Sequence, residues 1–368
     1  MNAEVTARAS RAAAIKRGSP FQMRFGAIWI ALLGLAILCA IIAPRSLLPS
    51  TFFAIVPLAA FLAIAAIGEA LVIMSRGIDL SIPATVTLSS TLILGLSLGD
   101  DRNALIAVIG ALAFATLIGL INGFFVAILK LNALIVTLAV GAITTGATLW
   151  YREALPQESR VPPAMAVWGD ARFLDINLSV WVAVALIAVL TVVLRKTTVG
   201  RRFLAVGANP RSAWIAGINV SAYQIAAFAV AGFLYGIAGI LLSAFIRNPT
   251  MRVGDPYLLA PIAAAVLGGT AVTGGLGSMV AVGVASLFLT QLGQMLKMLG
   301  LSSAIQYVIE GLAIAAGMTV VRINLTQVAW LARGGSLASP DAPGMAGALT
   351  PKATPGPNSN STPKMQRE

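Results

Sequence analysis

Apolar residues in this chain come in long unbroken runs, and polar residues gather in the connections between them. The runs lie near 26–43, 52–74, 80–98, 104–129, 133–151, 177–194, 221–245, 257–273, 278–296 and 303–321. Most approach the roughly 20 residues a helix needs to cross a ~30 Å hydrocarbon layer. The pattern predicts an all-α fold, a polytopic integral membrane helical bundle with about ten transmembrane helices. The third and eighth runs are short and interrupted by small residues or proline. Each predicts a broken helix or a re-entrant segment, which brackets the count at eight to eleven spans.

Small residues recur four apart in several runs: Gly119 with Gly123, Gly232 with Gly236, and Ala313 with Gly317. In lipid the hydrophobic effect no longer drives helices together, and small residues let backbones approach closely. The spacing predicts tight helix pairs.

Composition narrows the chemistry. Hydrophobic residues make up 58% of the chain and charged ones 10%. Histidine is absent, and the single cysteine, Cys39, lies inside the first run. Disulfides within the chain, most zinc sites and His-based catalysis are therefore excluded. Neither an HExxH nor a GxSxG motif occurs, which counts against the common intramembrane enzymes. The first run lacks a cleavage-like close, so no cleavable leader is expected.

A net charge of +12 raises the possibility of nucleic acid as a partner, but the basic residues sit beside the runs. Lys and Arg concentrate in alternate connections and in both ends, which the positive-inside rule assigns to the cytoplasm. Residues 1–24 read as a cytoplasmic arm, 25–322 as the transmembrane domain, and 323–368 as a cytoplasmic tail. Arm and tail are too polar, or too rich in Pro, Gly and Ser, to bury a core, and disorder is expected there.

Two acids fall within runs, Glu69 and Glu310. A charge deep in hydrocarbon costs about 2.5–3.5 kcal/mol on insertion scales, so both are expected to face the bundle interior or water. Glu69 lies near the end of its run and within reach of the interface. Glu310 lies further inside, as the sharper candidate for hydrogen bonding, for lining a path or for carrying a proton. Asn122, Tyr235, Gln291, Gln294 and Gln306 supply hydrogen-bonding groups suited to helix–helix contacts or to a neutral solute.

The longest basic connection reads RKTTVGRRFLAVGANPRSAWIAGINV, residues 195–220, without an acid. Asn209 suits an N-cap and Pro210 the first helical position. A short helix then covers residues 211–216, with Gly217 placed for a left-handed C-terminal cap. So short a helix needs something to pack against. Trp214 and Ile215 offer apolar surface, while Arg201, Arg202 and Arg211 offer charge. A basic loop that merely fixes topology and a docking helix for a cytoplasmic partner both fit. The chain has no GxxxxGK[ST] phosphate loop, so uphill transport needs a partner or an ion gradient.

Within that connection, GRRFLAVGANPRSAWIAGINV resembles the coupling segment of ABC-importer permeases of the ribose, xylose and arabinose type, through Gly200, Arg201, Ala205, Gly207, Asn209, Ser212, Ala213 and Gly217. SRGIDLSIPA is similar to a second motif of that family, through Gly77, Ile78, Asp79, Leu80 and Ser81. AAAVLGGTAVTGGLGS resembles a third, through Gly268, Gly269, Thr270, Gly274, Gly275, Gly277 and Ser278. The likeness spans residues 50–321, with Arg76, Pro83 and Arg211 departing from the usual pattern. Asp79 then reads either as a local ion pair with Arg76 or as part of a fixed turn shaping the path.

The resemblance implies an inner-membrane permease with both termini cytoplasmic, importing a small polar solute, foremost a monosaccharide. It implies a separate cytoplasmic ATPase that holds ATP and Mg, an extracytoplasmic solute-binding protein, and a second permease chain, identical or not. Residues Gly200, Arg201, Arg202, Ala205, Gly207, Asn209, Pro210, Arg211, Ser212, Ala213, Trp214 and Gly217 would couple to the ATPase. Gly77, Asp79, Ser81, Gly268, Gly269, Thr270, Gly274 and Gly275 would shape a translocation path or gate. No cofactor, metal or nucleic acid is expected on this chain, which lipid surrounds. The alternative is an ion-coupled transporter working through Glu69 or Glu310.

Overall fold

The computed structural model describes residues 20–156 and 159–322. The expected tail 323–368 and nearly all of the expected arm 1–24 lie outside them. The helices are α1 (Pro20–Ile42), α2 (Pro49–Met74), α3 (Ile82–Ser97), α4 (Ala104–Ala127), α5 (Ala133–Glu153) and α6 (Pro163–Asp170). A two-strand hairpin of β1 (Arg172–Phe173) and β2 (Ile176–Asn177) precedes α7 (Leu178–Lys196), α8 (Thr198–Ala208) and α9 (Pro210–Ile215). The series closes with α10 (Val220–Ile246), α11 (Ala260–Leu267), α12 (Met279–Met298) and α13 (Ser303–Arg322).

A helix stands at every predicted span. Among the described residues six are long and apolar enough to cross a membrane, namely α2, α4, α5, α7, α10 and α12. The eighth run is interrupted, as its small residues suggested: α11 is only 8 residues long and stops at Gly268, too short to cross. The third, α3, has 16 residues and begins only after a non-helical stretch at 77–81. Both are interrupted at the same face, which also carries α8 and α9.

Helix α2 is the axis of the fold. From Ala59 to Met74 its residues are buried, enclosed by α7, α10, α11 and α12. Pro57 sits inside this helix, removing one backbone donor near its outer end. By contrast α4, α5 and α7 turn large apolar side chains outward, among them Leu105, Ile143 and Val189, as lipid-facing helices must.

Two of the three predicted small-residue pairs meet, between α4 and α10; the surroundings of Gly317, in the third, lie outside what is described. A Cβ on Gly119 would lie 2.2 Å from the Phe228 carbonyl oxygen, and one on Gly232 would lie 2.4 Å from that of Ala115. Helices that approach this closely gain dispersion contact along their length. Gln291 ties α12 to the chain that follows α1, donating to the Ser46 carbonyl at 3.4 Å and lying against Cys39.

Candidate functional site

The basic connection folds into two helices where a single short one was expected. Thr197 caps the first, its Oγ1 accepting from the Gly200 amide at 3.1 Å. Helix α8 buries Gly200, Phe203, Val206 and Gly207 and leaves Arg201, Arg202 and Ala205 exposed. Helix α9 follows the sequence prediction closely. Pro210 is its first residue, and Asn209 Oδ1 accepts from the Ser212 amide at 3.1 Å. At the far end the Ile218 amide donates to Ala213 O at 3.0 Å and the Gly217 amide to Trp214 O at 2.9 Å. Gly217 has φ +78, so the pair forms a Schellman cap that an L side chain would strain.

This capped helix buries Ala213 but presents Trp214 and Ile215, 71% and 72% exposed. Beside it an open groove of about 720 Å³ runs between α9 and the start of α10, lined by Lys130, Arg211, Trp214, Ile218 and Ser221 among others.

The three sequence motifs meet where α8 ends. Arg76, with φ +73, sends Nε to the Gly207 carbonyl at 2.7 Å and Nη2 to that of Ala208. A cation at the last carbonyls of a helix complements its dipole. The Gly275 amide donates to Met74 O at 2.9 Å. Gly207 lies between these partners: a Cβ there would stand 2.0 Å from Met74 O and 2.6 Å from Gly275 N. The end of α2, the end of α8 and the Gly274–Gly275 turn are thus one backbone junction. An Arg76–Asp79 ion pair, one of the two sequence readings, does not form.

Asp79 is instead buried deeper, 1% exposed, in a polar cluster. Its Oδ1 accepts from the Ser81 amide at 2.8 Å and the Ser81 hydroxyl at 2.6 Å. Asn122 Nδ2 of α4 donates to that hydroxyl at 2.9 Å. Glu69 accepts from the Asp79 amide at 3.3 Å and from the Tyr235 hydroxyl of α10 at 3.1 Å. Thr137 of α5 accepts from the Leu80 amide at 3.0 Å. Glu69 and Thr137 thereby take up two backbone amides of the non-helical stretch that precedes α3, and Asn122 and Tyr235 brace the cluster, while Asp79 Oδ2 has no partner among the described residues. Gly77 packs against Phe228, while Thr270 is buried beside the turn that begins at Gly268 and Gly269, its hydroxyl unpartnered.

The ranking of the two acids reverses. Glu69 is the interior, fully bonded one, while Glu310 is half-buried and carries no hydrogen bond or ion pair among the described residues. Tyr235→Phe is expected to lower stability by roughly 1 kcal/mol, because one acceptor of a buried carboxyl loses its donor. Thermal unfolding of the purified protein in detergent checks this.

Residues 51–317 match the family described as the branched-chain amino acid transport system / permease component. The chain belongs to this permease family. It is 31% identical over 294 residues to the ribose import permease of Escherichia coli (strain K12), covering 79% of this chain and 91% of that protein. Against the ribose import permease of Bacillus subtilis (strain 168) it is 32% identical over 289 residues, 78% and 89% of the two chains. The autoinducer 2 import system permease of Photorhabdus luminescens is 33% identical over 249 residues, 66% of this chain and 73% of that one. The permease is therefore a transport subunit of an ABC importer and not an enzyme, with ATP hydrolysis on a separate subunit. It is a multi-pass protein of the membrane.

Sequence reading missed α8, Arg76's acceptors and the Glu69–Tyr235 bond. For α8 a signal existed: Thr197 precedes Gly200, Phe203 and Gly207, spaced as one helical face.

Proposed function

We propose that this permease imports a monosaccharide or a similarly hydroxylated solute, driven by an ATPase that docks on α9. The relatives named for ribose and autoinducer 2 support the solute class. The observation that carries the coupling reading is the junction at Gly207. It fastens the helix bearing exposed Arg201 and Arg202, and through it the exposed pair Trp214 and Ile215, to the end of the most buried span.

In this reading the α8–α9 face is cytoplasmic, as are both termini. The ATPase holds ATP and Mg; a solute-binding protein delivers from the opposite face, and a second permease chain completes the path. Nucleotide-driven motion of the ATPase pair pulls on α9. Helix α8 passes that motion through Arg76 and Gly275 to both interrupted spans, whose residues Asp79, Ser81, Gly268 and Thr270 reset the gate. Nothing found favours the ion-coupled alternative.

Reconstitution tests the reading. Vesicles holding the permease with its ATPase and binding protein should accumulate ribose or a related sugar only with ATP. Accumulation driven by a proton or sodium gradient without the ATPase would sink it. Within the same system Gly217→Val should reduce ATP-driven uptake about tenfold while leaving membrane insertion intact, because a β-branched residue resists φ +78. Uptake at the parent rate would show that the cap is dispensable.

A further inference from the structure

Glu310 occupies a position that the junction and the buried cluster leave unexplained. It is the eighth residue of α13, about 10 Å along the helix from its start, in the last of the apolar runs that the sequence assigns to the membrane. Its Oε1 lies over Gly293 of α12, 3.2 Å from where a Cβ would stand. Glu69 in the same bundle has Tyr235 and the Asp79 amide; Glu310 has no such partner among the described residues. It is only partly covered.

Its surroundings form a polar seam. Thr290 and Gln294 of α12, on either side of Gly293, are half-buried, as is Gln306, one turn before Glu310 on α13. Thr290 and Gln306 spend their donors locally, on the Ser286 and Leu301 carbonyls. Lys297, further along α12, is near enough to act on Glu310 electrostatically but forms no ion pair with it. Outside the seam Ile305, Val308 and Leu312 are exposed and apolar, as a rim against lipid or protein must be.

A carboxyl in this setting has few stable environments. Lipid solvates it poorly, charged or neutral, and among the described residues no protein donor bonds it in place of water. An aqueous cavity is the environment that such residues take inside membranes. We propose that the α12–α13 seam is the wall of the solute path on the side opposite α8 and α9. There Glu310 and Gln294 offer carboxylate and amide groups to the hydroxyls of a neutral polyol. The solute class rests on the sugar reading above; the water-facing position does not.

Single cysteines decide it. In a Cys39→Ser background, whose native thiol is buried, Glu310→Cys and Gln294→Cys are introduced into the assembled transporter in native membranes. Each is treated with the hydrophilic reagent 2-sulfonatoethyl methanethiosulfonate, and Val189→Cys on the lipid face of α7 serves as reference. The seam cysteines should react roughly 100-fold faster than the reference, since only a hydrated thiol ionises to the reactive thiolate. Reaction no faster than Val189→Cys would overturn the proposal, marking the seam as a dry contact. If Glu310→Cys fails to insert, Gln294→Cys decides alone. Labelling needs neither ATP nor sugar. Failure of the untreated parent to take up sugar with ATP, beside seam cysteines that react fast, would therefore sink the functional reading alone, and an unreactive seam with normal uptake would sink only this proposal.

Discussion

Gly207→Ala should abolish transport and lower the unfolding free energy by about 3 kcal/mol, the upper part of the range for overpacked sites. The added methyl would enter between Met74 O and Gly275 N, 2.0 Å from one and 2.6 Å from the other. Those two atoms are themselves hydrogen-bonded at 2.9 Å. All the obstructing atoms are backbone, so no rotamer change relieves the clash. The chain must break the Met74–Gly275 bond or move α8 away from α2. Either outcome detaches the basic helices from the bundle. Thermal unfolding in nanodiscs and ATP-driven uptake in vesicles measure the two effects. A variant with parental melting and uptake would mean that α8 does not sit on α2 as described.

Arg76→Gly separates stability from coupling. Arginine at φ +73 carries a left-handed penalty of about 1–2 kcal/mol, which glycine removes. The side chain's bonds to the Gly207 and Ala208 carbonyls are lost at the same time. Arg76 is largely exposed, so solvent screens that loss to about 1–2 kcal/mol. The two terms nearly cancel, and melting should shift little. Transport per ATP hydrolysed, however, should fall about tenfold, because the side-chain link between α8 and the entry to α3 is gone. Arg76→Lys should recover part of it, since an ammonium reaches one carbonyl where the guanidinium reaches two. An unchanged ratio of uptake to hydrolysis in Arg76→Gly would leave Arg76 as a cap of α8 and nothing more.

The spans were legible because each is a local property: an apolar run long enough for lipid must become a helix with its backbone satisfied internally. Interruptions at α3 and α11 were legible too, from Pro83 and from the glycines after Leu267. The caps of α9 could be read residue by residue, since Asn209, Pro210 and Gly217 act on neighbours within one turn. The junction could not be read in that way. Arg76 finds its acceptor 131 residues away, and Glu69 finds Tyr235 at a separation of 166. Nothing local distinguishes a glycine that admits a carbonyl from one that only loosens a turn. The neighbourhood of Asp79 and Arg76 misled for a related reason: charges three residues apart invite pairing, yet the non-helical stretch at 77–81 carries one inward and leaves the other at the surface.

The rigid ends of α9 bear on the life of the subunit before assembly. Because the Asn209 and Gly217 caps hold the helix in shape, Trp214 and Ile215 stand uncovered with no means of folding away. An orphan copy therefore displays a greasy handle that invites promiscuous sticking and attracts chaperones and proteases. With the ATPase docking on α9 as proposed, synthesis out of step with it should leave these molecules short-lived, so that cellular abundance is set by the scarcer component.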